Sequence, residues 1–476
     1  MGNFLLVFAG LALLGSYLYG RLHYKRFRQY VFFPQMPTSL ILGHLKHVDF
    51  FIRAGKPNGH PDLAFLAMNE ALGRSELMFL DLRPFGPPMV VVRSHEVAEQ
   101  VSKASKDFPS SLPKMPSVYG HMMHVTGRTS ILATHSEDWK LLRKRFNPGF
   151  AHQHLVTFLP CILEKSSTFL ENLDQFSRTG GVFSLVELTG NLTFDIICSV
   201  VMDVDFGSQN TGKQSDFVRA YHELFETYAS EQVDLPWFLT FRMEWKRRQL
   251  AKRYVNDLTP QAVDEACDQI STFLFAGHDS TSILLSWIFY ELSRTPHALK
   301  TLRSELDDLF GPDSNPSTVC NKLLSNDGKD VLNSMRYTSA VIKETLRLWP
   351  PAGTARQTEP GADLTVHTPT GEYPLEGRWL NETAEKIPAS AWRAFERGPR
   401  NCLGQELANL EARVVVALVS RRYDFSKVGT GELSLDEDGK PILDSMGYFK
   451  TASEMYPTRQ VTPKPVDGMM IRVKIA

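Results

Sequence analysis

The chain is poor in cysteine: five thiols occur in 476 residues, at Cys161, Cys198, Cys267, Cys320 and Cys402, with no CxxC pair and an odd total. That usage argues against a disulfide framework and against a cysteine-based zinc site. Four of the five read as small buried hydrophobes. Net charge is equally scant. A formal value of -1 provides no field to attract nucleic acid or any strongly charged partner. Internal repeats and low-complexity linkers are missing as well. What is present, 43% hydrophobic and 22% charged residues, is enough for a large folded body, one big domain or two to three ordinary ones.

Long apolar runs are rare, and the longest is at the N-terminus. FLLVFAGLALLGSYLY, Phe4 to Tyr19, carries no charge and is followed by Arg21, Lys25, Arg26 and Arg28. With its flanks it reaches the roughly 20 residues that cross a bilayer. The basic cluster follows the run and no A-x-A site does, so a retained anchor is expected in place of a cleaved signal. The positive-inside rule then puts the rest of the chain in the cytosol. MGNFLL lacks Ser or Thr at position 6, which removes the myristoylation signal. Pro34 and Pro37 supply a rigid turn beyond the anchor. We therefore expect an anchor at 1–22, a basic, proline-containing hinge at 23–48 and a folded body at 49–476. Cytosolic placement predicts that the NLT at Asn191 and the NET at Asn381 stay unglycosylated.

Residues 50–105 alternate short apolar runs such as MVVV with turns and predict a small sheet. From there to about 350 the pattern is helical. VELTGNLTFDIICSVVM and CDQISTFLFAGHDSTSILLSWIFYELSR show broad apolar stripes. Thr259 and Pro260 give the second a helix start, and it runs towards Pro296. A helix of that length spans about 55 Å and crosses a whole domain. The tail after about 425 returns to strands and turns.

The stretch FERGPRNCLG, Phe395 to Gly404, frames Cys402 with two glycines and two arginines. Leu403, Leu407, Leu410, Val414 and Leu418 fall on one helical face, which places Cys402 at a helix N-terminus. Backbone amides there favour a thiolate, and a thiolate is a strong metal ligand. Gly398 and Gly404 permit close approach by something flat and bulky, and Arg400 offers an acidic group a partner. In the apolar helix, AGHDST buries Asp279 beside Ser280, an expensive arrangement unless it is used or solvated. A bend at Gly277 is the plainer reading of the same residues. Glu344 and Arg347 in ETLR stand three apart on one helical face and can pair.

These residues resemble a family. FERGPRNCLG fits FxxGxRxCxG, the haem-binding loop of the cytochrome P-450 haem-thiolate monooxygenases, and AGHDST is similar to that family's A-G-x-D-T-T. The resemblance implies a mainly α fold with a minor β-sheet, the cytochrome P-450 fold, here with an N-terminal transmembrane helix. It implies haem b, with Cys402 as the proximal iron ligand. Phe395 would pack against the loop beside Gly398, and Arg400 would pair with a propionate. Asp279 and Ser280 would deliver protons to dioxygen, with serine in place of the usual threonine, while His278 points away. Glu344 and Arg347 would join Arg378 of GRWL in a buried network behind the haem. Arg356 of PPAGTAR would reach a propionate, and Trp139 and Arg143 of DWKLLRKRF would hydrogen-bond the haem edge.

The implied partners are an NADPH-cytochrome reductase, dioxygen, a hydrophobic small-molecule substrate and the endoplasmic reticulum membrane, with no nucleic acid. The reaction is hydroxylation or epoxidation, and FLFAGHDSTSILLSWIFYELSRTPHALKTLRSEL and RKRFNPGFAHQHL look most like fungal members that tailor polyketides and other secondary metabolites. Two departures stand out. Only the stretch 357–377 separates Arg356 from Arg378, shorter than the family pattern, and chain also looks missing after the basic run ending at Arg253. An inactive or misfolding haem-fold remnant is therefore the alternative. A haem-thiolate isomerase or dehydratase is a third reading, against which Asp279 and Ser280 argue.

Overall fold

The N-terminal apolar run is helical in the structure, a computed structural model that describes residues 2–106, 108–115, 120, 122–210, 215–229, 242–243, 245–251, 264–357 and 389–476. Helix α1 spans Gly2–Phe27. Phe4, Leu6, Leu11, Leu13 and Leu18 are all exposed, so its apolar surface is not confined to one stripe. Two compact units divide the described residues, one up to Val101 and the other from Ser102 onward.

In the first unit, α2 (Leu45–Ala54) and α3 (Pro61–Ala71) pack beside an antiparallel pair, β1 (Leu77–Leu80) and β2 (Met89–Val92), in the register Leu77 to Val92. The expected sheet is thus a single hairpin. Leu45, Val48, Phe51 and Ile52 recur at helical spacing and make α2 a helix. Met36, Met68, Met78 and Leu80 form the small core. Where the sequence places a hinge, the helix continues, and Arg26 at its end is buried. Its guanidinium meets Asp81 at 2.6 Å and donates to the carbonyls of Leu40 at 3.1 Å, Ile41 at 2.6 Å and Arg83 at 2.9 Å. Arg83 reaches both oxygens of Asp81, at 2.8 and 2.7 Å, and returns to the Lys25 carbonyl at 2.8 Å. Gly43 is left-handed at φ +54, and a Cβ there would strike the Asp81 carbonyl.

The second unit holds the main core. Helix α4 (His95–Ser102) belongs, but for its last residue, to the first unit; the longer described helices of the second are α5 (Ser136–Phe146), α6 (Leu159–Thr179), α7 (Leu185–Met202), α8 (Asp216–Ala229), α9 (Asp264–Arg294), α10 (Pro296–Phe310), α11 (Pro316–Leu324), α12 (Arg336–Leu348) and α13 (Gln405–Ser420), besides shorter ones. A three-stranded sheet orders β3 (Phe183–Ser184), β5 (Met470–Ile475) and β4 (Tyr423–Lys427) with β5 central. Thr259 and Pro260 lie outside the described residues, and α9 ends before Pro296, where the sequence places its stop.

Helix α7 starts on Ser184, whose side chain accepts from the Glu187 amide at 3.2 Å, half of an S-x-x-E capping box. It has the length and apolarity to cross a membrane, yet it is 67% buried in the fold. It is a core helix packed along α9. Thr193 and Thr189 on α7 donate to the His278 and Ser282 carbonyls of α9 at 2.8 and 3.2 Å. Gly277 lets the helices meet: a Cβ there would come within 2.7 Å of the Ile197 side chain. Asn191 is buried on α7, which closes that glycosylation motif in the folded state; Asn381 lies outside the described residues.

Removing one partner of a buried ion pair costs about 3–5 kcal/mol, and Asp81→Ala should destabilise the first unit on that scale in denaturant unfolding. Burial raises the Asp81 carboxyl, but Arg83 and Arg26 outweigh it and hold its pKa below the ordinary value. The stabilisation is therefore complete above the ordinary carboxylate range. It should be lost as pH falls through the depressed folded pKa, and Asp81→Ala should show no such loss.

Candidate active site around Cys402

The loop before α13 is built by backbone rules. Gly398 sits at φ +78, and a Cβ there would lie 2.0 Å from the Ser102 carbonyl. The Cys402 amide donates to the Phe395 carbonyl at 2.8 Å and the Asn401 amide to the Gly398 carbonyl at 3.1 Å. These bonds wrap the chain so that only Leu403 and Gly404 separate Cys402 from the start of α13. The amides of Gly404 and Gln405 bond its sulfur, as the sequence expects at a helix start. Cys402 keeps an accessible face although protein surrounds the rest of it. Burial pushes its thiol up, against the pull of the Gly404 amide, Lys114, Arg143 and the Gln405 amide. The expected thiolate is thus not secured by the helix end alone.

Helix α5 braces this loop from outside. Arg143 donates to the Asn401 carbonyl and side-chain oxygen at 2.7 and 2.8 Å, so two of its donors serve the cysteine loop and not a haem edge. Burial lowers its pKa, opposed by Cys402. Trp139 is buried with Ile131 and Leu142, against Leu403 and Phe273. Arg400 is buried, lies 4.4 Å from the Trp139 ring centre and donates to the Thr134 carbonyl at 3.2 Å. Phe395 packs its ring 5.8 Å from Trp392.

Residues 113–115 and 355–357 pair as a short antiparallel ladder, Met115 to Ala355 at 3.1 Å and Gln357 to Pro113 at 3.0 Å. This brings Lys114 beside Arg356. Lys114 falls to about 8, through burial and the like charges of Arg356 and Arg400, with Cys402 and Glu396 opposing. Arg356 stands 3.8 Å from Glu396, and Arg393 also pairs with Glu396. Lys114 and Arg143 thus face the thiol, with Arg356 and Arg400 beside Lys114 and the Glu396 carboxylate among them. Such an excess of buried and part-buried positive charge favours an acidic ligand.

On α9 the residues divide. Ala276 is exposed in mid-helix, and Ser280 beside it donates to the Ala276 carbonyl at 2.6 Å. Asp279 faces elsewhere. It is buried, forms a pair with Lys464 at 3.0 Å and accepts from Thr462. Burial works to raise its carboxyl, but Lys464, His278 and Thr462 hold its pKa below the ordinary value. The structure therefore does not bring Asp279 and Ser280 together, because adjacent residues on a helix point about 100° apart. His278 is buried against the rings of Phe194, Tyr221 and Phe225, 3.2 Å from the Tyr221 hydroxyl.

Glu344 and Arg347 pair at 2.7 and 2.9 Å, but each is about a third exposed. The pair lies off the face of α12 that buries Thr338, Ile342, Thr345 and Leu346. Arg378 lies outside the described residues.

The cytochrome P-450 family model matches residues 76–266, 256–367 and 376–444. Similarity extends to the cytochrome P-450 monooxygenase polC of Polytolypa hystricis, 30% identical over 462 residues with 82% of this chain and 81% of that protein covered. The chain belongs to the cytochrome P-450 family. The cytochrome P-450 monooxygenase acrF of Aspergillus aculeatus is 30% identical over 442 residues, covering 77% of this chain and 87% of that one. The crystal structure of the cytochrome P450DA heme domain shares the fold, with a TM-score of 0.68 at 18% identity, 93% of this chain and 97% of that one covered.

As a P-450 monooxygenase the protein is an oxidoreductase, and family and fold imply a thiolate-ligated haem iron together with dioxygen, a substrate and a redox partner. The residues present fit that group: one accessible sulfur, buried cations for its acidic groups, and the exposed Ala276 on an otherwise buried stretch of helix. The breaks in the family match fall near the two places where chain looks missing. The polC match is also longer than 82% of 476 residues can fill, so that relative carries positions absent here.

Sequence reasoning missed Lys114, Thr462 and Lys464. Pro113 marks extended chain at the first, but nothing in TPKP points back to α9. Gly398→Ala should lower stability by more than about 1 kcal/mol, since its φ is positive and its Cβ position is filled. Gly404→Ala, at φ -85 with nothing near its Cβ, should change the thermal midpoint little.

Proposed function

We propose that Cys402 is the proximal ligand of haem b and that the enzyme hydroxylates or epoxidises a hydrophobic small molecule in fungal secondary metabolism. The observation that carries this reading is the Cys402 loop: one accessible sulfur, amide donors behind it and converging cations around it. The fungal relatives polC and acrF, both named monooxygenases, support the reaction class and the setting. Bound haem supplies the activation of dioxygen, for which a thiolate ligand favours O–O cleavage.

The chain's own residues do the rest. The Gly404 and Gln405 amides hold negative charge on sulfur, and Arg143 fixes the loop through Asn401. Arg400, Arg356 and Lys114 neutralise the acidic groups of the cofactor. The Ser280 hydroxyl can pass a proton beside exposed Ala276, and Asp279, an anion paired with the partly exposed Lys464, connects that stretch of α9 towards solvent. Phe395, Gly398 and Trp139 shape and pack the loop, and Glu344 with Arg347 and Arg378 braces the chain behind it. Electrons come from an NADPH-cytochrome reductase. Helix α1 anchors the protein in the endoplasmic reticulum membrane, a reading supported by its apolar, exposed surface.

The reduced carbon monoxide complex should show the strongly red-shifted Soret band of thiolate ligation, and Cys402→Ala should abolish it. An unchanged spectrum would remove the assignment. Asp279→Asn and Ser280→Ala should keep that band but lower product formed per NADPH severalfold, the difference appearing as peroxide. General acid–base groups contribute about 10²–10⁴-fold, so turnover should fall by about 10²-fold or more; unaltered coupling would assign both residues to helix packing.

One observation favours a second reading, an inactive remnant: the breaks in the family match. Restoring family-length segments at Gly377/Arg378 and after Arg253 separates the two. Haem uptake only by the restored chain would favour the remnant.

A further inference from the structure

Two tryptophans face each other inside the second unit. The rings of Trp287 on α9 and of Trp349, directly after α12, lie 3.8 Å apart with their planes within 3° of parallel. Aromatic pairs usually stand about 4.5–7 Å apart, offset or edge to face, so these two overlap more fully than packing alone favours. Trp287 is 1% exposed, whereas Trp349 is part-buried. The Trp349 indole donates its Nε1 hydrogen to Glu291 Oε1 at 2.9 Å. Burial raises the Glu291 carboxyl against the pull of Arg294 and of that indole, which makes the carboxylate a better proton acceptor. Trp392 offers the contrast. Its indole donates to the Lys343 carbonyl at 3.2 Å, and a carbonyl is no base.

The stack is aligned with the exposed stretch of α9. Trp287 follows Ser280 by seven residues, which returns it to the same helix face about 10 Å along the axis. Ile283 and Leu284, between them on that side, are buried. The route from Ser280 to the stack therefore runs through packed side chains, over a distance that an electron crosses without an intermediate carrier.

We infer that Trp287 and Trp349 form a redox-active pair, with Glu291 as its proton acceptor, that reduces haem oxidised by peroxide when no substrate is bound. The inference rests on the reading of Cys402 as the haem ligand. Trp349 gives one electron to the oxidised haem, and its Nε1–H bond breaks as the proton passes to the Glu291 carboxylate. The indolyl radical that remains is neutral and is shared with Trp287 through the stack. A soluble one-electron reductant such as ascorbate then returns the electron at part-exposed Trp349, and Glu291 returns the proton. The pair thereby spares haem and protein from an oxidant that has no substrate to attack.

The test loads the full chain with haem, omits substrate, adds hydrogen peroxide and freezes the mixture rapidly for electron paramagnetic resonance, with ring-deuterated tryptophan to separate indole from tyrosine signals. The parent should give a neutral tryptophan radical that ascorbate removes. Trp349→Phe should abolish it and speed the bleaching of the haem by peroxide severalfold, and Trp287→Phe should weaken it severalfold. Glu291→Gln keeps the shape and a hydrogen-bond acceptor but removes the base, so it carries the test in a chain whose packing is retained: the signal should change to that of the protonated cation radical at severalfold lower yield. Trp392→Phe should alter neither signal nor bleaching. A radical that survives Trp349→Phe would overturn the pair, as would a radical lost only when Trp139, the ring against Arg400, is changed to Phe. A neutral radical at full yield in Glu291→Gln would overturn the proton acceptor. The carbon monoxide band of thiolate ligation without a tryptophan radical in the parent would overturn the pair and leave the haem reading standing, whereas a chain without that band would overturn the haem reading and the pair with it.

Discussion

Helix α9 is held against α7 by a contact too close for side chains to be interchangeable. Gly277 admits Ile197, and two threonine hydroxyls on α7 bond carbonyls of α9 that are already serving the helix. These bonds fix both the translation and the rotation of α9. The rotation matters most, because it turns Ala276 and Ser280 to one side and Asp279 to another. From the opposite end, Gln269 bonds the Thr129 carbonyl and the Ile131 amide at 2.8 and 2.9 Å, and Asp268 bonds the Thr129 amide and hydroxyl, both at 2.8 Å. The loop leading into α5 is thereby set by α9 as well.

A second constraint, the loop before α13, depends on that placement. Leu403 packs with Trp139 and Phe273, and Phe273 belongs to α9. The cysteine loop, α5 and α9 thus share one small apolar cluster. Arg143 adds a polar tie through Asn401 and Arg400 stacks over Trp139, so two guanidiniums are ordered by the same tryptophan-bearing helix. Buried arginines of this kind are tolerated because carbonyls and a ring face replace the water they lose. The cost of the gathered positive charge shows in Lys114, depressed to about 8. A protein with no use for an anionic ligand would gain stability by discarding one of these cations.

The polar residues on α9 illustrate how a helix separates functions that the sequence runs together. Asp279 is stabilised as an anion by Lys464 and Thr462, which arrive from the far C-terminal segment. Beside it burial lowers the pKa of His278, against the pull of Asp279 and the Leu274 carbonyl, and aromatic rings surround it. His222 nearby falls to about 4, through burial and the charges of His278 and Lys464. One lysine therefore serves the carboxylate and opposes both histidines.

Local pattern was enough for some of this. Apolar periodicity gave α7 and α9, and the glycines and arginines of FERGPRNCLG gave a wrapped loop ahead of a helix, since each depends on residues within a turn or two. The same locality explains the misses. Glu344 and Arg347 pair as their spacing predicts, but which face of α12 is buried was decided by α9 and α13. Asp279 and Ser280 are neighbours in sequence and are parted by 100° of helix. Arg26 reads as one more flanking cation, and only contact with Asp81, far along the chain, makes it a clamp. Lys464 and Lys114 carry no local mark at all. Sequence by itself determined which segments are helical, where the thiol loop lies and which family chemistry it serves; the tertiary structure alone decided which charges are buried and what they face, because burial and pairing arise from contacts between residues remote in the chain.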